Sequence, residues 1–229
     1  MYKILEKTQF SEKVFKFRIE APEMAKHAHA GQFLMVRANE TGERVPFTFA
    51  DWNPEEGWVE FIFMVIGKTT EMLSTYEAGD AIQDVTGPLG QPTEMGEGNW
   101  AVIGGGVGLA IAFPVARQLK ATGHEVHAIM GARTKDLLLL EDQFRSVLDD
   151  EHIHITTDDG SYGEKGVVTA PLERLLQEKK VDHVFCVGPV PMMKFSALTA
   201  EKYDTPIIAS LNPIMVDGTG MCGCCRVEV

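Results

Sequence analysis

The sequence predicts a two-domain β plus α/β protein: an antiparallel β-barrel over residues 1–98, a parallel-sheet α/β domain over 99–210, and a short C-terminal segment over 211–229. Three observations predict it. Before residue 99, short alternating or β-rich runs are separated by Gly and Pro, the spacing of an antiparallel sheet or small barrel. After Trp100 the chain repeats strand then helix, the pattern of right-handed βαβ units on a parallel sheet. Near the end, Cys222, Cys224 and Cys225 crowd three of the four cysteines into four positions, a metal-ligand density and not a core-packing one.

In the first domain the strand-like runs are 13–19, 32–37, 45–50, 58–66 and 81–86. A polar, Gly-rich linker follows over 92–99. The second domain reads as strands at 100–103, 125–130, 152–156, 181–187 and 206–210, with helices at 109–120, 140–148, 168–178 and 192–202 between them. The chain carries no internal repeat and no low-complexity segment.

Composition is that of an ordinary globular protein, with 45% hydrophobic and 24% charged residues in 229, enough to bury a sizeable core. A net charge of −12 argues against nucleic acid or an anionic membrane surface as partner. The start, MYKILEKTQF, has charges at Lys3, Glu6 and Lys7 and no apolar core, unlike a signal peptide. The longest apolar stretch, 101–116, is broken by four glycines and Pro114 and falls short of the ~20 residues of a bilayer span. A cytoplasmic, reducing location with no membrane insertion is therefore expected, where clustered cysteines bind metal rather than pair.

Gly104, Gly105, Gly106 and Gly108 lie between an apolar strand and an amphipathic helix. A dinucleotide pyrophosphate could approach the backbone and the helix N-terminus there. The spacing is a compressed form of GxGxxG, and a turn that merely allows tight strand-to-helix packing is the lesser alternative. No acidic residue stands at the usual distance for a ribose diol; the second strand runs instead into Arg133 and Thr134. In the first domain, Arg44, Pro46 and Thr48 share one strand face, offering a guanidinium for a diphosphate and a hydroxyl for a polar ring edge. Gly67, Lys68, Thr69 and Thr70 end a strand and start a helix, where N–H groups and hydroxyls could meet an anion. A surface arginine and an ordinary Thr-rich helix start are the plain alternatives.

The order of these motifs carries more than any one of them. RVPFT at 44–48, GKTT at 67–70, GPLGQP at 87–92, GGGVGLA at 104–110 and VGPVPMM at 187–193 together resemble the ferredoxin:NADP reductase superfamily. Within it the chain is similar to the branch with a C-terminal [2Fe-2S] cluster, which includes the electron-transfer subunits of dihydroorotate dehydrogenases. RVPFTFAD, GARTKDLLLLED, TDDGSYGEKG and LNPIMVDGTGMCG resemble more closely the small subunits of NADH-dependent reduced ferredoxin:NADP oxidoreductases, also known as sulfide dehydrogenase subunits. The resemblance spans essentially the whole chain.

It implies an FAD-binding barrel, an NAD(P)-binding α/β domain and an iron–sulfur segment. Arg44, Val45, Pro46, Phe47 and Thr48 would hold FAD, with Thr48 near the flavin ring and Arg44 on the diphosphate. Met64, Val65 and Ile66 would flank the adenosine, and Gly67, Thr69 and Thr70 would close on the phosphates. Gly105, Gly106, Val107 and Gly108 would receive NAD(H), with Gly188, Pro189 and Met192 bordering the nicotinamide. NADP(H) stays open, because Arg133 and Thr134 could serve a 2′-phosphate. In many relatives a cysteine directly precedes the Gly-Pro pair; here Val187 does, and strand alternation makes Cys186 a buried core thiol.

A [2Fe-2S] cluster needs four ligands, usually thiolates, on a tight loop. The resemblance aligns Asp217, Cys222 and Cys225 with three of them, an aspartate standing where the dihydroorotate-type pattern has cysteine; a solvated turn residue is the alternative for Asp217. No cysteine follows Cys225, and 226–229 reads as a strand. Two explanations stand: a truncated product whose natural end carried the last cysteine, which is favoured, or Cys224 in that role. The cluster is accordingly expected to be incomplete in this chain. The implied activity is FAD-dependent NAD(P)H oxidoreduction, serving a larger flavin/iron–sulfur subunit or ferredoxin. A dihydroorotate dehydrogenase subunit, a stand-alone flavin reductase and a cysteine-rich metal-binding module on a non-catalytic scaffold are the rival readings. No catalytic residue is assigned, since hydride exchange needs orientation more than acid–base help, and the seven histidines offer no convincing catalytic dyad.

Overall fold

A computed structural model describes residues 1–228. It divides into two units, residues 1–93 together with the segment from Asn212 onward, and Glu94–Leu211.

In the first unit the elements are β1 (Tyr2–Ser11), β2 (Val14–Glu20), α1 (Pro22–Ala25), β3 (Phe33–Arg37), β4 (Arg44–Asn53), β5 (Trp58–Met64), α2 (Lys68–Ser74), β6 (Ala81–Ile82) and β7 (Asp84–Leu89). They form one antiparallel sheet in the order β6-β1-β2-β5-β4-β3-β7. The two edge strands are consecutive in the chain. Only Gln83 separates β6 from β7, and its N–H bonds Ala38 O at 3.2 Å, so a single short run of backbone draws both edges together and curls the sheet into a barrel. Ile4, Phe17, Ile19, Leu34, Val36, Phe49, Phe61 and Phe63 fill the interior, and Leu73 of α2 plugs it.

The run predicted as one strand over 81–86 is thus two strands serving opposite edges. β1, absent from the predicted set, is a full ten-residue strand. Its polar side chains are held by neighbours rather than by an apolar face: Lys7 Nζ donates to Ser74 O at 2.8 Å and Glu77 Oε1 at 2.7 Å, and Glu6 pairs with Arg18 at 3.2 Å.

The second unit contains β8 (Trp100–Gly105), α3 (Leu109–Ala121), β9 (Val126–Ala132), α4 (Glu141–Val147), β10 (Ile153–Thr157), β11 (Glu164–Lys165), α5 (Thr169–Gln177), β12 (His183–Val187), α6 (Val190–Glu201) and β13 (Ile207–Ala209). All strands are parallel, in the order β11-β10-β9-β8-β12-β13. Every strand and helix predicted here is present, and the two-residue edge strand β11 is additional. β8 is buried throughout, as a central parallel strand must be. From β8 the order runs outward one way through β9 to β11 and the other way through β12, so the topological switch lies between β8 and β12. Cys186 is fully buried in the core formed with α5 and α6, and burial pushes its thiol pKa up to about 11; it is no candidate nucleophile.

The strand predicted over 226–229 does not form across Arg226–Glu228. Among the described residues no strand pairs with it, and Arg226 N–H instead closes a turn on Gly223 O at 3.3 Å; Val229 lies outside the described residues. No helix among the described residues is long and apolar enough to cross a membrane.

Candidate active site

β4 changes partners midway. Residues 44–48 pair with β3, from Arg44 opposite Arg37 to Thr48 opposite Phe33. β5 pairs with β4 only from Phe49 onward, after a register shift between Phe49 and Asp51. Residues 44–48 and the end of β5 are therefore splayed apart, leaving the backbone edge of RVPFT on that side without a strand partner among the described residues. Val45, Phe47 and Phe49 point into the barrel, so alternation turns Arg44, Pro46 and Thr48 to the other face. Phe47 is not a free flat surface: its ring stacks on Phe61 with centroids 5.0 Å apart. Beside the opening, Met64 and Ile66 are left bare, Ile66 at 80% exposure. An unpaired strand edge bordered by exposed apolar side chains suits a flat heteroaromatic ring with polar edges, and FAD fits it.

The charge for a diphosphate sits on a neighbouring row. Asp84 on β7, Arg37 on β3 and Arg44 on β4 are cross-strand neighbours in register. Arg44 Nη2 donates to Asp84 Oδ2 at 2.6 Å, and Arg37 Nη2 lies 3.6 Å from the same oxygen. Two guanidiniums share one carboxylate, leaving the row net positive. Arg37 Nε is buried without a hydrogen-bond partner among the described residues. Sequence reasoning missed Arg37, since cross-strand register is what brings it beside Arg44.

The GKTT turn is built differently from its expectation. Thr70 is buried, and its hydroxyl accepts from Ile66 N–H at 3.0 Å and Gly67 N–H at 3.1 Å while donating to Gly67 O at 2.9 Å. A hydroxyl has one donor and two acceptor sites, so the Thr70 side chain shapes the turn and has nothing left for a phosphate. Val65 likewise packs against the barrel core. The groups left to meet an anion are the first-turn N–H groups of Lys68, Thr69 and Thr70, which precede the first intrahelical bond, from Glu71 N–H to Gly67 O.

In the second unit, the carboxyl ends of β8 and β12 meet at the switch point with almost no room between them. A Cβ on Gly108 would lie 2.5 Å from Val187 O, and one on Gly188 would lie 3.2 Å from Gly105 Cα. Met192 Sδ occupies the space a Gly105 Cβ would take, at 2.5 Å. Gly106, by contrast, has φ +56° and nothing within 4 Å of its would-be Cβ. It faces open space at the start of the 13-residue helix α3. Bare backbone beside a helix N-terminus at a switch point is where a dinucleotide pyrophosphate binds. The structure brings Gly105, Gly106, Val107 and Gly108 together with Gly188, Pro189 and Met192 in this one crevice.

The C-terminal segment packs on the barrel through Gly218, whose would-be Cβ lies 2.9 Å from Met35 Cγ and 3.2 Å from Leu89 Cδ1. Asp217 organises the loop: Oδ1 accepts from Thr219 N–H at 2.7 Å and Gly220 N–H at 3.2 Å, and Oδ2 from Cys222 N–H at 2.9 Å. Those N–H groups, Thr219's foremost, hold its pKa down at about 2. Asp217 thus has the turn role that was its alternative reading, although Oδ2, which accepts one backbone N–H, keeps a lone pair. Gly218, Gly220 and Gly223 all have positive φ, curling the loop, and Cys224 N–H points to Cys222 Sγ at 3.5 Å. Cys222 and Cys224 are exposed and Cys225 is half-buried. Curvature, bare thiols and an N–H···S contact suit a [2Fe-2S] cluster as a donor set.

One further grouping escaped sequence reasoning. Glu125, His127 and His152 converge in the second unit, with His154 beside them; the alternations Glu-x-His at 125–127 and His-x-His at 152–154 were its only signal.

Comparison with known proteins agrees with both units. Residues 1–93 match the oxidoreductase FAD-binding domain and residues 102–197 the oxidoreductase NAD-binding domain. The chain is 49% identical over 227 residues to a dihydroorotate dehydrogenase B (NAD(+)) electron transfer subunit homolog of Thermotoga maritima, covering 99% of this chain and 79% of the relative. It is 34% identical to a probable subunit of the same kind in Methanocaldococcus jannaschii, over 86% of this chain and 73% of the relative. A solved NADH-dependent reduced ferredoxin-NADP oxidoreductase, studied for flavin-based electron bifurcation, superposes with a TM-score of 0.91 at 48% identity, covering 99% of this chain and 81% of that one. With a splayed strand edge in one unit, a glycine crevice in the other and these relatives, the chain belongs to the ferredoxin-NADP reductase family, among its FAD- and NAD-binding electron-transfer subunits.

Proposed function

We propose that the chain passes electrons between NAD(P)H and a larger partner subunit in the cytoplasm, through FAD and a [2Fe-2S] cluster. The observation that carries the reading is the pairing, in one chain, of the unpaired 44–48 strand edge with the glycine crevice of β8 and β12. An FAD held at that edge would supply the exchange between two-electron hydride chemistry and single electrons, and a cluster held by the C-terminal loop would supply a one-electron relay.

The residues then divide the labour. The RVPFT edge and the Thr48 hydroxyl orient the flavin, Arg44 and Arg37 hold its diphosphate, and Met64 and Ile66 gain cover from water. Lys68 and Thr69 N–H groups close on the phosphates. Gly106 and Gly108 admit the dinucleotide backbone, and Gly188, Pro189 and Met192 border its nicotinamide end. Asp217, Cys222 and Cys225 supply cluster ligands. Exposed Ile214, Val216 and Met221 beside the thiols fit an apolar protein partner at the electron exit.

Anaerobic stopped-flow reduction of the bound flavin by NADH and by NADPH tests the assignment. Rapid bleaching by either supports it, and a purified protein without flavin absorbance would point to the non-catalytic metal-binding reading. Arg133 is exposed at the carboxyl end of β9; Arg133→Ala is expected to lower the NADPH rate about tenfold or more and leave the NADH rate unchanged if it serves the 2′-phosphate.

Iron and acid-labile sulfide, counted against flavin in anaerobically purified protein, are expected to fall when Cys222→Ser or Cys225→Ser removes a thiolate ligand. Iron that drops in Cys224→Ser as well would add Cys224 to the ligand set. Asp217→Cys is expected to keep whatever cluster forms and to change the paramagnetic resonance spectrum of its reduced form, because a thiolate is softer than a carboxylate. An unchanged spectrum would leave Asp217 with its turn role alone.

A further inference from the structure

The cluster of Glu125, His127 and His152 lies at the amino ends of β9 and β10, at the opposite end of the sheet from the glycine crevice. Glu125 and His127 are two residues apart, as are His152 and His154, so alternation sets each pair on a common face. β9 and β10 are paired neighbours, with Ile153 opposite Ala128 and His154 opposite Ile129. Glu125 Oε1 lies 3.4 Å from His127 Nε2 and 3.8 Å from His152 Nε2. Ligand atoms of all three side chains fall within 4.8 Å of one another, the only such grouping among the described residues.

Two features mark this as more than a packed histidine pair. His127 is only 4% exposed, yet its Nε2 makes no well-formed hydrogen bond among the described residues, its one polar neighbour being Glu125 Oε1 at a long 3.4 Å. Leaving a buried ring nitrogen unpaired is costly unless something takes its lone pair. Its other nitrogen is already placed: His127 Nδ1 lies 3.3 Å from His154 Nε2, the outer hydrogen bond that fixes the tautomer of a metal-ligating imidazole. The spacing suits a small ion too. Ligands about 2.0–2.1 Å from a tetrahedral centre lie about 3.3–3.4 Å from one another, close to the first of the two measured separations. The Glu125 side chain is half exposed, which leaves an entry path and an open position for water. Lys180 approaches the cluster, but its amine is paired with Glu178 at 2.7 Å.

We infer that Glu125, His127 and His152 form a binding site for a divalent transition ion of the zinc class, with His154 as the positioning residue. Two imidazoles and one carboxylate favour zinc, cobalt or nickel over magnesium or calcium, which take oxygen ligands. The site is independent of the flavin, the dinucleotide and the thiol loop.

Cobalt(II) titration of the flavin-loaded full chain tests it, using a Cys222→Ser/Cys224→Ser/Cys225→Ser variant to silence the thiols. One equivalent should bind in that variant, with ligand-field absorption and no thiolate-to-cobalt charge-transfer band. Adding Glu125→Ala should weaken binding about tenfold or more, and zinc should raise the melting temperature of the triple-serine variant but not of its Glu125→Ala derivative. Glu125 is the primary target because its half-exposed side chain can be removed without opening the core; His127→Ala should abolish binding outright. Cobalt uptake that disappears with the cysteines, or that Glu125→Ala leaves unmoved, overturns the assignment.

Discussion

Gly108→Ala is expected to yield a flavin-loaded protein that NADH reduces at least about a hundredfold more slowly than the unsubstituted chain. The residue has φ −58° and ψ −23°, which alanine adopts without strain. Space is what fails: the new methyl would lie 2.5 Å from Val187 O, 2.9 Å from Val187 C and 3.1 Å from Gly188 Cα, all backbone atoms. The turn after β8 must then move away from the turn after β12, widening the crevice proposed to receive the dinucleotide. A misplacement of about 1 Å in a hydride donor is enough for a hundredfold loss. Gly105→Ala is the graded control, because its closest neighbour at 2.5 Å is the sulfur of Met192, on a side chain that can swing aside; a loss at least several-fold smaller is expected there. Stopped-flow flavin bleaching measures both, with flavin content confirming that the barrel is intact. Wild-type reduction of Gly108→Ala would remove the crevice from the reaction.

Arg44→Ala is expected to weaken FAD binding about tenfold to a hundredfold, the loss of one charge-assisted contact worth about 1.5–3 kcal/mol. The guanidinium is 42% exposed, so the fold should tolerate its removal. Asp84 would keep only the longer contact to Arg37, at 3.6 Å, and the row would lose its net positive charge. Fluorescence quenching of FAD titrated with apoprotein reads the change, and raised salt should shrink the difference between the two proteins. An unchanged affinity would mean that the arginine row faces something other than the diphosphate.

The second unit was the more legible in sequence. β8, β9 and β12 are nearly continuous apolar runs, and α3 and α5 carry clear apolar faces, so local pattern and tertiary role agree there. The barrel was harder, because its strands are defined by partners distant in sequence. β1 pairs with Arg18 and Lys16 across ion pairs, so its ten residues show no apolar alternation. The 81–86 run looked like one strand since nothing in Ala-Ile-Gln-Asp-Val-Thr says that Gln83 is where the chain changes edges. At the site, the motif segments themselves were legible, whereas the inward packing of the Phe47, Val65 and Thr70 side chains was not. Each of those turns inward, and only three-dimensional packing reveals which hydroxyl or ring is already engaged. Arg37 and the Glu125–His127–His152 group share one cause of invisibility, since both are assembled by register between strands.

The one-residue hinge at Gln83 has a consequence for how the protein is made. While the ribosome delivers residues 1–80, the five strands already present have two open edges, β1 on one side and β3 on the other, each with unpaired backbone. Both are capped within nine residues of further synthesis, when Ala81–Ile82 and Asp84–Leu89 emerge. The interval during which a nascent chain could pair edge to edge with its neighbour on a polysome ends abruptly at that point. A stall that holds residues 81–89 inside the ribosomal exit tunnel would therefore aggravate aggregation, whereas the same pause after those residues have emerged would be tolerated.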